Sequence, residues 1–183
     1  MAQARKSLKF GWLPACCGWF LRRHGRLAAA SLLLVTLAVP GSAQRILFAG
    51  GQWAAIDFGT RCEARSRVLS PRRDTRPFAG FAFDRAGPRQ GRFYVHLSRP
   101  ARAGASVVAT IGSSPFLLVG KGAWAWSRGG AQQSAMLEAA RYGQSLRIET
   151  RDSRGSKVVD RYVLDGAATA IDAAAAACAG KGR

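Results

Sequence analysis

In the first two thirds of residues 44–183 a glycine, proline or serine interrupts the chain at intervals of roughly 5 to 8 residues. Such intervals are too short for an ordinary helix of about 11 to 12 residues and suit strands of about 5 to 6. The spacing of breaks thus constrains the fold before any single motif does. Between the breaks lie β-branched and aromatic residues in alternation, the pattern of a half-buried strand. Strands are expected at 52–58, 62–69, 78–84, 92–98, 106–111 and 116–119. In the fourth of these, Phe93, Val95 and Leu97 fall on one face while Tyr94, His96 and Ser98 fall on the other. Turn chemistry separates the segments at Ser70-Pro71-Arg72-Arg73-Asp74, Ala86-Gly87-Pro88 and Arg102-Ala103-Gly104.

The pattern then changes period. Met136, Ala139 and Ala140 recur at helical spacing over 131–142, with a Glu138/Arg141 pair and Gly143 as a terminator. Strands at 146–151 and 157–164 follow, joined by Asp152-Ser153-Arg154-Gly155. After Gly166 a second helix is expected, with Thr169 and Asp172 spaced as a capping box and Ile171, Ala174, Ala175 and Cys178 on one face. The order predicts a mainly β protein: a single antiparallel β-sandwich or open-barrel-like domain with two short helices. Trp53, Ile56, Phe81, Phe83, Phe93, Val95, Leu97, Leu117, Leu146, Ile148, Tyr162 and Leu164 are expected to fill its core. Hydrophobic residues at 48% of the chain are sufficient for one.

Residues 1–43 read differently. They carry six basic residues (Arg5, Lys6, Lys9, Arg22, Arg23, Arg26) and no acid, and end in a 14-residue uncharged run at 27–40. As a helix that run rises about 21 Å, short of the ~30 Å hydrocarbon core of a bilayer. Gly41-Ser42-Ala43 places small residues where a signal peptidase reads, so 1–43 is expected to be a signal peptide cleaved after Ala43, leaving 44–183 as one β-rich periplasmic or secreted domain of a Gram-negative envelope. Retention as an anchor is the principal alternative. Leu13-Pro14-Ala15-Cys16 lacks the preceding apolar run of a lipoprotein box, and Gly25 and Arg26 follow Arg22-Arg23 where a twin-arginine signal wants apolar residues.

Export bears on the cysteines. Cys16 and Cys17 leave with the leader, and Cys62 and Cys178 remain. Two thiols in an oxidising compartment point to one disulfide, which would close a loop of more than 100 residues, worth about 4.7 kcal/mol by chain entropy. The alternative is a pair of free buried thiols.

Export also bears on the charge. The chain has 28 basic and 10 acidic residues, so removing the leader's six leaves 22 − 10 = +12, with arginine supplying 19 of the 22. The guanidinium fork matches phosphate and carboxylate. Arg65, Arg67, Arg72, Arg73, Arg76, Arg85, Arg89 and Arg92 are therefore candidate contacts for an anionic envelope component such as lipid headgroups, lipopolysaccharide or glycan. Nucleic acid is chemically suitable but misplaced for an exported protein. The competing reading is a set of solvated charges that keep the protein soluble.

Catalytic signals are weak. Gly120-Lys121-Gly122-Ala123-Trp124-Ala125 matches a dinucleotide fingerprint in form, yet no helix opens behind it, so a β-turn is expected. Ser113 or Ser114 with His96, the single histidine after the leader, is the only hydrolase constellation, and it lacks a nucleophile elbow. No spacing suggests a metal or cofactor. Trp124 and Trp126 lie two apart in an extended segment and share a side, expected to be the core, with a membrane-interface or ligand patch beside Lys121 and Arg128 as the alternative.

An early Trp53 followed by Cys62, and Met136-Leu137…Arg141…Gly143…Leu146-Arg147-Ile148…Gly155…Tyr162-Val163-Leu164-Asp165-Gly166…Ala170, resemble the invasion-associated locus B family of bacterial envelope proteins. The resemblance covers most of 44–183 loosely and only the final 50 residues closely. The additional cysteine pair often seen in the second half of such proteins is missing here. The resemblance implies a small exported β-rich protein without enzymatic activity, in some cases linked to host-cell entry, and it carries over no site residues. Together with the charge it suggests a non-enzymatic protein that binds an anionic surface component or another envelope protein. The alternatives are a periplasmic serine-type hydrolase and a purely structural accessory domain.

Overall fold

The computed structural model describes residues 44–69 and 75–179. The expected leader, its cleavage point after Ala43, and Arg72 and Arg73 lie outside the described residues. Within them the strands are β1 (Arg45–Gly50), β2 (Trp53–Asp57), β3 (Arg61–Arg67), β4 (Phe78–Asp84), β5 (Gln90–His96), β6 (Val107–Ile111), β7 (Ser114–Lys121), β8 (Trp124–Trp126), β9 (Ser145–Arg151) and β10 (Lys157–Val163). Helix α1 (Gly130–Tyr142) precedes β9 and α2 (Ala167–Ala179) follows β10. All ten strands pair antiparallel in one sheet, in the order β1-β2-β3-β4-β5-β8-β7-β6-β9-β10. The mainly β, antiparallel architecture with two short helices is the one the sequence predicts.

The sheet curls without closing. Past the end of β3, the Leu69 amide donates to Arg161 O of β10 at 2.9 Å, and the Trp53 indole N–H donates to Val163 O at 2.9 Å. The β1–β2 turn and the turn between β10 and α2 meet backbone to backbone. A Cβ on Gly166 would fall 2.2 Å from Gly50 O, and one on Gly51 2.4 Å from Asp165 O. Both glycines have positive φ, 84° and 56°, which a side chain would also strain.

The concave side is the core. Phe81 and Phe93, paired across β4 and β5, meet edge-on with ring centroids 5.3 Å apart, and Trp53 stacks on Phe81 at 6.2 Å. Helix α2 lies on β2 and β3, where the paired Ala55 and Ala64 leave room for it, and it buries Ala167, Ala170, Ile171, Ala174 and Cys178. Cys178 is bonded to Cys62, with Cα atoms 5.8 Å apart. The Arg85 guanidinium adds a second clamp at the same end of α2, donating to Ala177 O, to Gly59 O and to Asp57 Oδ2 at 2.6, 2.6 and 2.7 Å. A cation at a helix C-terminus is favoured by the unpaired carbonyls there.

Several expectations are corrected. Ile56 is half-buried on the convex side, because Trp53, Ala55 and Asp57 set the inward parity of β2 and a residue three positions from Trp53 must face away. Leu117 is exposed and its neighbour Leu118 is in the core, opposite Val107. Trp124 and Trp126 do share a side, but it is the convex one; Ala125 points inward. Helix α2 begins two residues before Thr169, started by the Ala167 N–H bond to Leu164 O. Asp172 pairs with Arg141 of α1, which takes Arg141 from the expected Glu138. Strand β1 was not expected. No helix among the described residues is long and apolar enough to cross a membrane.

Candidate functional site

Antiparallel register fixes which side chains become neighbours on the convex side. Arg67 stands opposite Phe78, Phe78 opposite His96, His96 opposite Trp124, and Trp124 opposite Lys121. One row therefore crosses β3, β4, β5, β8 and β7, with three rings in the middle and a cation at each end. The adjacent row reads Arg65, Gly80, Tyr94, Trp126 and Val119. Neighbouring strands lie about 4.8 Å apart, so Arg67 and Lys121 are about 19 Å apart along the sheet.

The rings form a cluster. His96 and Trp124 meet edge-on at 4.7 Å between centroids, Phe78 touches Trp124 and His96 at 5.8 Å each, and Phe78 and Tyr94 lie 5.9 Å apart. Edge-to-face pairs of this kind hold aromatic groups in fixed orientation. Trp124 remains 43% exposed, with Val119 and Leu117 at 38% and 41% on the same side.

Glycine at position 80 makes the arrangement possible. A Cβ there would lie 2.6 Å from Ala64 O and 3.1 Å from the Tyr94 hydroxyl. Without it the Tyr94 ring lies over β4 and its hydroxyl donates to Glu63 Oε2 on β3. Arg65 Nε donates to the Tyr94 hydroxyl at 2.9 Å and to Glu63 Oε2, while Arg61 Nε donates to Glu63 Oε1. The Arg65 guanidinium carbon sits 4.6 Å from the Phe78 ring centre and 5.0 Å from that of Phe58. Burial alone would raise the pKa of the Glu63 carboxyl, but the donors from Tyr94, Arg61 and Arg65 outweigh it and hold the group below its usual value. Burial and the adjacent Glu63 charge push the Tyr94 hydroxyl well above its usual value, so it stays a donor. This network fixes the floor of the aromatic cluster.

The eight arginines predicted to meet an anion divide into groups. Arg65 is committed to Glu63 and Tyr94, Arg85 to Asp57 and the end of α2, and Arg89 to Asp84. These three guanidiniums are engaged within the fold. Arg67, Arg76 and Arg92 are exposed and make no ion pair among the described residues. Arg67 and Arg92 stand on strands rather than loops. The sequence offers Lys121 as a neighbour of the tryptophan pair but not Phe78 or Arg67 as parts of the same surface, since only strand register brings those together.

The hydrolase constellation is not assembled. Lys121 shares the row of His96, and Ser114 begins the same eight-residue strand that Lys121 ends. Seven steps of about 3.3 Å put roughly 23 Å along β7 between Ser114 and that row, and Ser113 lies one residue beyond. Gly120-Lys121-Gly122-Ala123-Trp124-Ala125 is the β7–β8 hairpin, with Gly122 at φ 61° in its turn. Among the described residues no group of three or more His, Cys, Asp or Glu could hold a metal ion. The chain matches no protein-family model, no curated protein and no solved structure.

Proposed function

We propose that this chain is a non-enzymatic exported envelope protein whose convex sheet face binds an anionic surface component. The observation that supports it is the cross-strand row of Phe78, His96 and Trp124 ended by Arg67 and Lys121. Rings and cations arranged on a rigid sheet suit recognition of an extended ligand. The short basic leader with its apolar run supports export, and the likeness of the final 50 residues to invasion-associated locus B proteins supports an envelope setting.

Purified protein comprising residues 44–183 should co-sediment with a Gram-negative envelope fraction, and the bound share should fall steeply between low and physiological salt, because exposed charges are screened over about 8 Å at 0.15 M. Recovery of the native chain from that fraction with its N-terminus at Gln44 is the accompanying expectation. Binding insensitive to salt would favour the accessory-domain reading, in which a partner protein is held by apolar contact.

A further inference from the structure

We infer that the Arg67–Lys121 row is a subsite for an acidic polysaccharide chain lying across the strands, its anionic sugars spaced by neutral ones. The inference rests on the proposed binding function and names its ligand class. Three observations lead to it.

The first is extent. A compact anion would meet one cation only, because about 19 Å separates the two ends. A ligand that uses both must be a chain with charges apart. The second is the character of the centre. Of Phe78, His96 and Trp124, Trp124 is the exposed ring; Phe78 is stacked on His96 and carries the Arg65 guanidinium, whose charge is paired with the Glu63 carboxylate beneath the neighbouring row. A single nucleic acid strand carries a phosphate at every nucleotide and would want cations throughout. A sugar ring, with an apolar C–H face and polar edges, fits an aromatic stretch whose one nearby cation, Arg65, is already paired with Glu63. The third is rigidity. The rings are held against one another, with Tyr94 of the neighbouring row seated over Gly80, so little ordering is left for the ligand to impose.

Hyaluronan oligosaccharides, in which charged and neutral sugars alternate, are the probe, with the uncharged chitin oligosaccharide, single-stranded oligothymidylate and phosphatidylglycerol vesicles as comparators. Binding to the protein of residues 44–183 is followed by calorimetry and by tryptophan fluorescence. A long hyaluronan fragment should bind at least about tenfold more tightly than the other three probes. Arg67→Gln and Lys121→Gln should each weaken it about three- to tenfold, a loss of about 0.7 to 1.4 kcal/mol. On a fragment too short to span both ends, the two substitutions together should cost no more than the worse one alone. Trp124→Phe should remove the fluorescence response, and Arg154→Gln, at the exposed β9–β10 tip, should change nothing beyond twofold. The two charge substitutions are on the surface and leave the core intact, so they report binding even if a ring substitution disturbs folding.

Oligothymidylate or vesicles binding as tightly as hyaluronan would overturn the inference, as would an Arg154→Gln loss equal to that of Arg67→Gln. Absence of hyaluronan binding with salt-sensitive envelope binding intact would overturn the ligand class and leave the proposed function standing. Loss of both would remove the function as well.

Discussion

Breaking the Cys62–Cys178 bond should cost this domain about 5 kcal/mol without changing its native structure. The bond spans 116 residues, and chain entropy for a loop of that length gives about 4.8 kcal/mol. The native side of the balance is nearly untouched. Helix α2 still buries Ala167, Ala170, Ile171 and Ala174, Arg85 still reaches Ala177 O, and Arg141 still pairs with Asp172. The loss therefore arises in the unfolded chain, which gains the freedom the bond had removed. Against a total stability of about 5 to 15 kcal/mol for an ordinary domain it is a large fraction. For a domain of this size it corresponds to a fall in Tm of about 10 to 20 °C. Urea unfolding with and without reductant, and of the Cys62→Ala/Cys178→Ala protein, measures it. The native near-ultraviolet spectrum should be retained, and the denaturant slope should rise, because an uncrosslinked unfolded state exposes more surface. A stability change under about 1 kcal/mol, or two alkylatable thiols in native protein prepared without reductant, would refute the reasoning.

Two further outcomes test register and electrostatics. Leu118→Ala should destabilise by about 2 to 5 kcal/mol through a cavity beside Val107, whereas Leu117→Ala should change stability by about 0.5 kcal/mol or less; equal losses in urea unfolding would mean the register of β7 is wrong. Glu63, Asp57 and Asp84 all have folded pKa values below their ordinary ones. For Asp57 the Gly59 amide and Arg85 are responsible; for Glu63 burial is overcome by donors from Tyr94, Arg61 and Arg65, and for Asp84 by those from Arg89. Groups lowered in this way contribute stability that is present above the unfolded carboxylate range near 4 and lost as pH falls through their folded values. The denaturant midpoint should thus drop on going from pH 6 to pH 3, with a smaller drop in Glu63→Gln; a midpoint that rises on acidification would contradict the Glu63 network.

Alternation told the strands and the helical period told α1 and α2, because each depends on neighbours in sequence. The sequence FLLVG at 116–120 has apolar residues throughout, so it fixed a strand but not which leucine faces in. Size misled at Ile56, where the parity set by Trp53 outweighs the bulk of the isoleucine. Bulk misled again at Trp124 and Trp126, since the inward position between them belongs to the small Ala125 beside Gly120. Strand β1 was hidden because RILFAG shows no alternation and follows directly on the basic and apolar stretch at 1–43. The arginine partners were not legible for a different reason. Arg85 and Asp57 are 28 residues apart, Tyr94 and Glu63 are 31, and only strand pairing brings such groups within reach. The anion-binding reading accordingly gathered arginines by proximity in sequence, while the fold sorted them into structural clamps and exposed cations.

The position of the disulfide also sets an order of events. Strands β1 to β5 are neighbours in the sheet in the order in which they occur in the chain, so each can pair with its predecessor as synthesis or delivery proceeds. Cys62 is in place early, on the side of β3 that α2 covers. Its partner is carried by the last helix, 116 residues later. Until that helix arrives, the thiol and the small-residue surface around Ala55 and Ala64 stand open to solvent. Closure of the bond therefore marks a finished molecule, and a chain truncated before α2 carries an unmatched thiol as the sign of its incompleteness.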